Sequence, residues 1–244
     1  MGAGGVRGVR VILVPSPFVG RQAWRATAKA MAATSGWRVE IADSSPNRVE
    51  PPIYANLSRR IAAASLAAGD WRTVVVGHSG AGGLLPSIVD ALVAEAQPVG
   101  AAILADAILP HPGRSWFDTA PDDLVQRLRP MIRDGRLPSW DQWFGPGALA
   151  RLLPDEDLRS AFIADIEPVS AAYCETPAPQ HLAWPPPRVG YLRLSEAYAG
   201  ETASAETAGW LVRRVMSHHL AMVNQPARVA ESLRSMVNAL VAAD

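Results

Sequence analysis

The sequence predicts an α/β protein: a mostly parallel central sheet of about six strands with helices on its flanks. Two observations carry that expectation. Short β-rich runs alternate with helical patterns, the order of a parallel sheet joined by crossover helices. A glycine-rich turn, "GHSGAGG" at 77–83, also joins one such run directly to a helical pattern. In chain order, "VRVILV" (9–14) is the first strand and a helix follows over 22–35. Strand 37–41 ("WRVEI"), helix 53–68, strand 72–76 ("RTVVV"), helix 82–95 and strand 100–105 ("GAAILA") come next. Strand 188–194 ("RVGYLRL"), a helix near 201–208, strand 210–215 ("WLVRRV") and helix 226–241 close the chain.

Residues 110–187 break this alternation. They hold 13 of the 21 prolines, four of the eight tryptophans and three of the four phenylalanines. Helical pieces fit 121–134 and 147–164, but no strand pattern does. An insertion of this composition between strands reads as a helical lid over the carboxyl edge of the sheet, where open α/β sheets bind ligands. The plainer alternative is a helical subdomain with its own core. The expected division is therefore a core of 1–109 and 188–244 and an insertion of 110–187.

Of the 244 residues 49% are apolar, and the formal net charge is zero. That balance offers no electrostatic pull toward nucleic acid or an anionic membrane. No run approaches the roughly 20 apolar residues that span a bilayer. The opening apolar stretch is short and broken by Pro15 and Pro17, so it reads as a strand rather than a secretory signal, and the expected location is the cytoplasm. Cys174 is the single cysteine, which excludes disulfides within the chain. With Glu175 beside it, Cys174 reads as structural or incidental rather than nucleophilic. His111 and His181 are isolated in sequence; no metal cluster, phosphate cradle or cofactor motif stands out.

The chemistry gathers at "VVVGHSGAGG" (74–83). A serine on a sharp strand-to-helix turn needs small neighbours, because the turn brings backbone segments close together. Gly77, His78, Ser79, Gly80 and Ala81 satisfy small-x-Ser-x-small, although Ala81 departs from the stricter G-x-S-x-G. A serine hydroxyl needs a base within hydrogen-bond reach to attack a carbonyl. "VMSHHLAMVNQP" (215–226), directly after the last strand, supplies His218 and His219 at the same sheet edge.

These stretches together resemble the α/β-hydrolase superfamily. "VILVPSPFVGRQAW" is similar to its first-loop region, "VVVGHSGAGG" to its nucleophile elbow, and "SHHLAMVNQPARVAESL" to its catalytic-histidine loop and final helix. The resemblance covers most of 9–109 and 188–241, and the lid matches by position only. It implies Ser79 as nucleophile, His219 as base (it immediately precedes the apolar "LAM"), His218 as a neighbour, and His78 packed beneath the elbow.

Two parts of the pattern depart. The carboxylate that orients the base usually follows the penultimate strand in this family, as Gly-x-x-Asp. Here that loop reads "LSEAYAGET", and the expected position falls near Tyr198 or Ala199, with Glu196 early and Glu201 late. The alternative is Asp106 at the end of "AAILADA", so Asp106 and Glu196 both stand as candidates. For the oxyanion hole, one backbone N–H comes from Gly80. The first-loop donor position falls on Pro17, which has no N–H, so the register shifts to Phe18 or one donor is missing.

Pro17, Trp116, Trp140, Trp143 and Phe144 are the expected pocket residues, with Phe117 and Trp184 completing the aromatic set of the insertion. They suggest a small-molecule substrate with an apolar or aromatic part, handled by a monomer or homodimer without a cofactor. The expected activity is a serine hydrolase acting on an ester or thioester. The alternative is a non-hydrolytic enzyme of the same fold in bacterial secondary metabolism (lyase, dehydratase, cyclase or epimerase), and a binding protein with an inert site is the third class.

Overall fold

In the computed structural model, residues 8–242 are described; the first seven residues and the last two of the core lie outside them. The chain runs β1 (Gly8–Val14), α1 (Gln22–Ser35), β2 (Arg38–Ile41), α2 (Ile53–Ala64), β3 (Trp71–Ser79), α3 (Leu85–Ala94) and β4 (Val99–Ala107). After an insertion it resumes with β7 (Arg188–Arg193), α8 (Ala199–Thr207), β8 (Leu211–Arg214), α9 (Ala221–Asn224) and α10 (Pro226–Val241). The insertion carries α4 (Asp122–Leu128), β5 (Arg136–Leu137), α5 (Ala148–Leu152), α6 (Glu156–Ile163), β6 (Val169–Ser170) and α7 (Ala171–Glu175).

Six strands form one sheet in the order β2-β1-β3-β4-β7-β8, every pair parallel. Both faces are covered, so the central strands are apolar on both sides, as parallel strands between helices must be. Ile12, Val14, Val75, Ala102 and Leu104 join the cluster that includes α2, α3 and much of the insertion. Val11, Leu13, Val74, Val76, Ala101 and Ile103 join the opposite cluster with α1, α9 and α10. Each fully buried Val, Leu or Ile side chain contributes about 1.5–3 kcal/mol relative to exposure.

The strand order reverses between β1 and β3, because β2 lies outside β1 while β3 and its successors build the other way. A crevice opens at the carboxyl ends of strands on either side of such a switch point. That is where the β1–α1 loop and the end of β3 sit, and it decides where chemistry can occur.

The insertion differs from expectation in two details. A two-stranded antiparallel pair, β5 with β6, lies inside a segment expected to hold no strand. Two residues per strand are too few to show a period. The helix expected over 147–164 is two helices, α5 and α6, because Pro154 cannot continue the first and Asp155 caps the second by accepting the Leu158 N–H (2.8 Å).

Candidate active site

β3 ends on Ser79 with φ 55° and ψ −124°, a conformation that L residues other than glycine seldom adopt. The following residues, Gly80–Gly83, coil into a single 3-10 turn before α3. Small residues are required here for contact reasons. A Cβ on Gly80 would lie 2.9 Å from Phe18 Cε2 and 3.1 Å from Ser16 Oγ, and one on Gly82 would collide with the Ile108 carbonyl. The turn leaves Ser79 half-buried while His78 behind it is sealed.

β4 brings Asp106 to the same edge by a local irregularity. His78 pairs with Ala105 but Ser79 pairs with Ala107, so Asp106 is an extra residue, with φ 45°. A bulge of this kind re-aims a side chain next to a site. The Tyr191 hydroxyl on β7 fixes it, accepting from Ala107 N–H (3.1 Å) and donating to the Ala107 carbonyl (2.8 Å).

The Asp106 carboxylate is fully buried and satisfied on both oxygens. Oδ1 accepts the N–H groups of Leu194 (2.8 Å) and Ser195 (2.9 Å). Oδ2 accepts the Ser195 hydroxyl (2.6 Å) and His219 Nδ1 (2.8 Å). Burial alone would raise its pKa. The bonds and charge of His219 and the donors of Ser195 and Leu194 outweigh it, and the carboxyl is held below its ordinary value. Because Nδ1 donates to Asp106, Nε2 is the unprotonated nitrogen of the neutral His219 ring.

Glu196 takes no part in this arrangement. It lies in the 3-10 turn Glu196–Tyr198, its side chain 77% exposed and paired with Arg193. His219 therefore meets Asp106, not Glu196, because the β4 bulge carries its carboxylate under the imidazole.

His78 Nε2 donates to the His219 carbonyl (3.0 Å), and its ring lies 4.5 Å from that of His219. Burial lowers its pKa to about 3, so it stays neutral. His218 accepts the Leu220 N–H through Nδ1 (3.3 Å), which shapes the loop that presents His219. Cys174 is buried, and burial pushes its thiol up, away from thiolate character.

On the β1 side, Ser16 and Phe18 face Gly80. The Phe18 N–H points at Ser16 Oγ (3.4 Å), while the Val19 N–H is taken by the Ser16 carbonyl (3.0 Å). Pro17 has no donor, and with Phe18 it lines a cleft bounded by Arg21, Asn47 and Asp165.

The aromatics of the insertion divide. Trp116 and Trp143 are buried, their rings 4.7 and 4.9 Å from that of Phe18. They thereby join the main apolar cluster over the elbow. Trp140 is half-buried and packs on Phe144 (5.3 Å), which is 38% exposed and sits beneath Arg127.

The sequence reading missed three residues. Ser195 and Tyr191 hold the carboxylate and its bulge. Tyr198 shares a hydrogen bond with Ser79 Oγ (3.4 Å), and its ring lies parallel to His219 (5.1 Å, 12°). Burial pushes the Tyr198 phenol well above its ordinary pKa, so it is protonated at neutral pH. Its position is the one at which the family pattern expects the acid, but nothing in "SEAYAG" marks a tyrosine that reaches a serine on another strand.

No family model matches the chain, and no curated protein matches it. Solved structures do. An extracellular α/β-hydrolase from a Paenibacillus species, described as sharing structural and functional homology with tobacco salicylic acid binding protein 2, aligns with TM-score 0.68 at 17% identity, over 93% of this chain and 98% of that one. Tomato methylketone synthase I, complexed with 2-tridecanone, aligns with TM-score 0.69 at 18% identity, over 96% and 100%. A pyrethroid hydrolase from Sphingobium faniae aligns with TM-score 0.64 at 18% identity, over 95% and 98%. The parallel sheet and these full-length superpositions establish that the chain has the α/β-hydrolase fold, with a largely helical insertion after the fourth strand.

Proposed function

We propose that the chain is a serine hydrolase that cleaves an ester or thioester of a small substrate with an apolar or aromatic part. The observation that carries this reading is the Asp106–His219 bond (2.8 Å) beside a strained Ser79 on a strand-to-helix turn. In the reaction, Ser79 Oγ attacks the carbonyl carbon and its proton passes to His219 Nε2. Buried Asp106 stabilises the imidazolium and fixes its orientation. The N–H groups of Gly80 and Phe18 receive the charge that develops on the carbonyl oxygen. The leaving group departs with the proton from His219, and water then releases the acyl group by the same route reversed. The relatives of this fold are described as hydrolases in two of the three cases above, which supports the class and leaves the substrate to this chain's own pocket.

A second reading, non-hydrolytic chemistry in the same pocket, is favoured by two observations. Among the described residues Ser79 bonds Tyr198 rather than His219, and Pro17 stands where an oxyanion donor is expected. The two readings part on one experiment. A fluorophosphonate probe should label the wild type and not Ser79→Ala, and short-chain p-nitrophenyl esters should be turned over with a loss on the order of 10⁶ in kcat for the variant. A folded wild type that neither labels nor turns over esters sinks the acyl-enzyme reading and favours the second.

A further inference from the structure

Tyr198 comes from a different element than either partner it touches. It closes the turn Glu196–Tyr198 between β7 and α8, and Thr202 of α8 donates to its carbonyl (2.7 Å). Its hydroxyl lies 3.4 Å from Ser79 Oγ, and its ring stacks on His219 at 5.1 Å and 12°. One side chain thus meets both the atom that would attack and the ring that would carry its proton. A hydroxyl within hydrogen-bond distance of Oγ is also within reach of atoms bonded to the carbon that Oγ attacks. It comes from the β7 side of the sheet, whereas Ser16 and Phe18, which approach Gly80, come from the loop after β1 on the other side of β3. The carbonyl oxygen is served from the β1 side, so the Tyr198 hydroxyl is left facing the group that departs.

We propose that Tyr198 is a further catalytic residue, whose hydroxyl donates a hydrogen bond to the leaving-group oxygen and selects oxygen esters over thioesters. The proposal rests on the acyl-enzyme reading above. The step balances without a further reactant. The Oγ–C bond forms, the C–O bond to the leaving group breaks, and its electron pair goes to the leaving oxygen. That oxygen takes the proton which Ser79 gave to His219, while Tyr198 keeps its own and shares it through the hydrogen bond. An alkoxide is a poor leaving group and gains most from such a donor. A nitrophenolate or a thiolate departs without a proton, and sulfur is a weak acceptor.

The test compares wild type with Tyr198→Phe, which keeps the ring on His219 and removes only the hydroxyl. The substrates are an ethyl ester, a p-nitrophenyl ester and an ethyl thioester of one short acyl group, read as kcat/KM so that the acylation step is reported. The expected result is a loss of about 10–100-fold on the ethyl ester and under about threefold on the other two. Equal losses on all three overturn the proposal, since a residue that merely positions His219 slows every acylation alike. No loss on the ethyl ester overturns it as well. Fluorophosphonate labelling of Ser79 accompanies each assay. A labelled, active wild type with either of those patterns removes Tyr198 alone, whereas a wild type that neither labels nor cleaves any of the three removes the hydrolase reading and this one with it.

Discussion

Asp106 accepts four hydrogen bonds from three residues on the β7 side and the histidine loop, while on the β1 side the Phe18 N–H points only at Ser16 Oγ and Pro17 has no N–H at all. The two sides sit on the same sheet edge and serve the same serine, but they are built differently. The side that carries Asp106 is pre-assembled: a bulge aims the carboxylate, Tyr191 holds the bulge, and both carboxylate oxygens have donors. The oxyanion side depends on a single loop whose aromatic residue is wedged between Gly80 and two tryptophans of the insertion. The sheet therefore fixes how Asp106 meets His219, and the packing of the insertion fixes where Phe18 lies against Gly80. A change in the insertion can reach the chemistry through one ring.

Breaking the acid–base side should have the larger effect. Asp106→Asn replaces an acceptor-only group with an amide that must present a donor somewhere in the same cage of donors. It leaves His219 with the wrong tautomer, and the expected loss is about 10⁴ in kcat with short-chain p-nitrophenyl esters. Glu196→Gln is the matched comparison. An exposed pair with Arg193 is worth little, so its kcat should stay within about twofold of wild type. If Glu196→Gln loses as much as Asp106→Asn, the bonded geometry of the β4 bulge is not what orients the base.

The oxyanion side should break more gently. A methyl on Gly80 would lie 2.9 Å from Phe18 Cε2, and the ring cannot retreat, because Trp116 and Trp143 pack against it. Gly80→Ala should then displace the Phe18 and Gly80 donors together, costing about 10²–10³ in kcat with Asp106 and His219 untouched. The pH dependence of the remaining activity should keep its shape, since the groups that titrate are not moved. A variant that retains full kcat would show that Phe18 N–H is not part of the oxyanion hole.

How much of this could be read beforehand follows from what leaves a trace in sequence. The elbow was legible because a β-branched run and a set of small residues are both compositional signals, and each answers a contact seen at Gly80 and Gly82. Asp106 is legible as one of two candidate partners of His219, but the sequence does not choose it over Glu196. That choice rests on a one-residue shift of register between β3 and β4, which changes no residue type. Tyr198 was passed over for a related reason: its partners lie on β3 and on the loop before α9, far away in sequence. The split between α5 and α6 was legible in retrospect, since Pro154 and Asp155 mark a stop and a cap. The pair β5–β6 was not, because two-residue strands have no period.

The smallest effect sharpens the same contrast through stability. Asp106 is buried, yet its pKa is held below the ordinary carboxylate value by His219, Ser195 and Leu194. A group whose folded pKa is depressed lends stability above its unfolded pKa, about 3.9, and loses it as pH falls through the folded value. His219 is the ionisable partner that faces it directly, and buried His78 stays neutral down to about pH 3. Wild type should therefore melt above Asp106→Asn at pH 7, and the gap should narrow by a few degrees, with about 2–4 °C for each kcal/mol, as pH is lowered through 4 toward 3. The Glu196→Gln variant should track wild type throughout, because its carboxylate is exposed and lends no such increment. Thermal melts by circular dichroism at pH 7, 5, 4 and 3 check this. A gap between wild type and Asp106→Asn that is constant in pH would mean the cage holds the carboxyl by shape alone, and that the charge on Asp106 contributes nothing to the side of the site it organises.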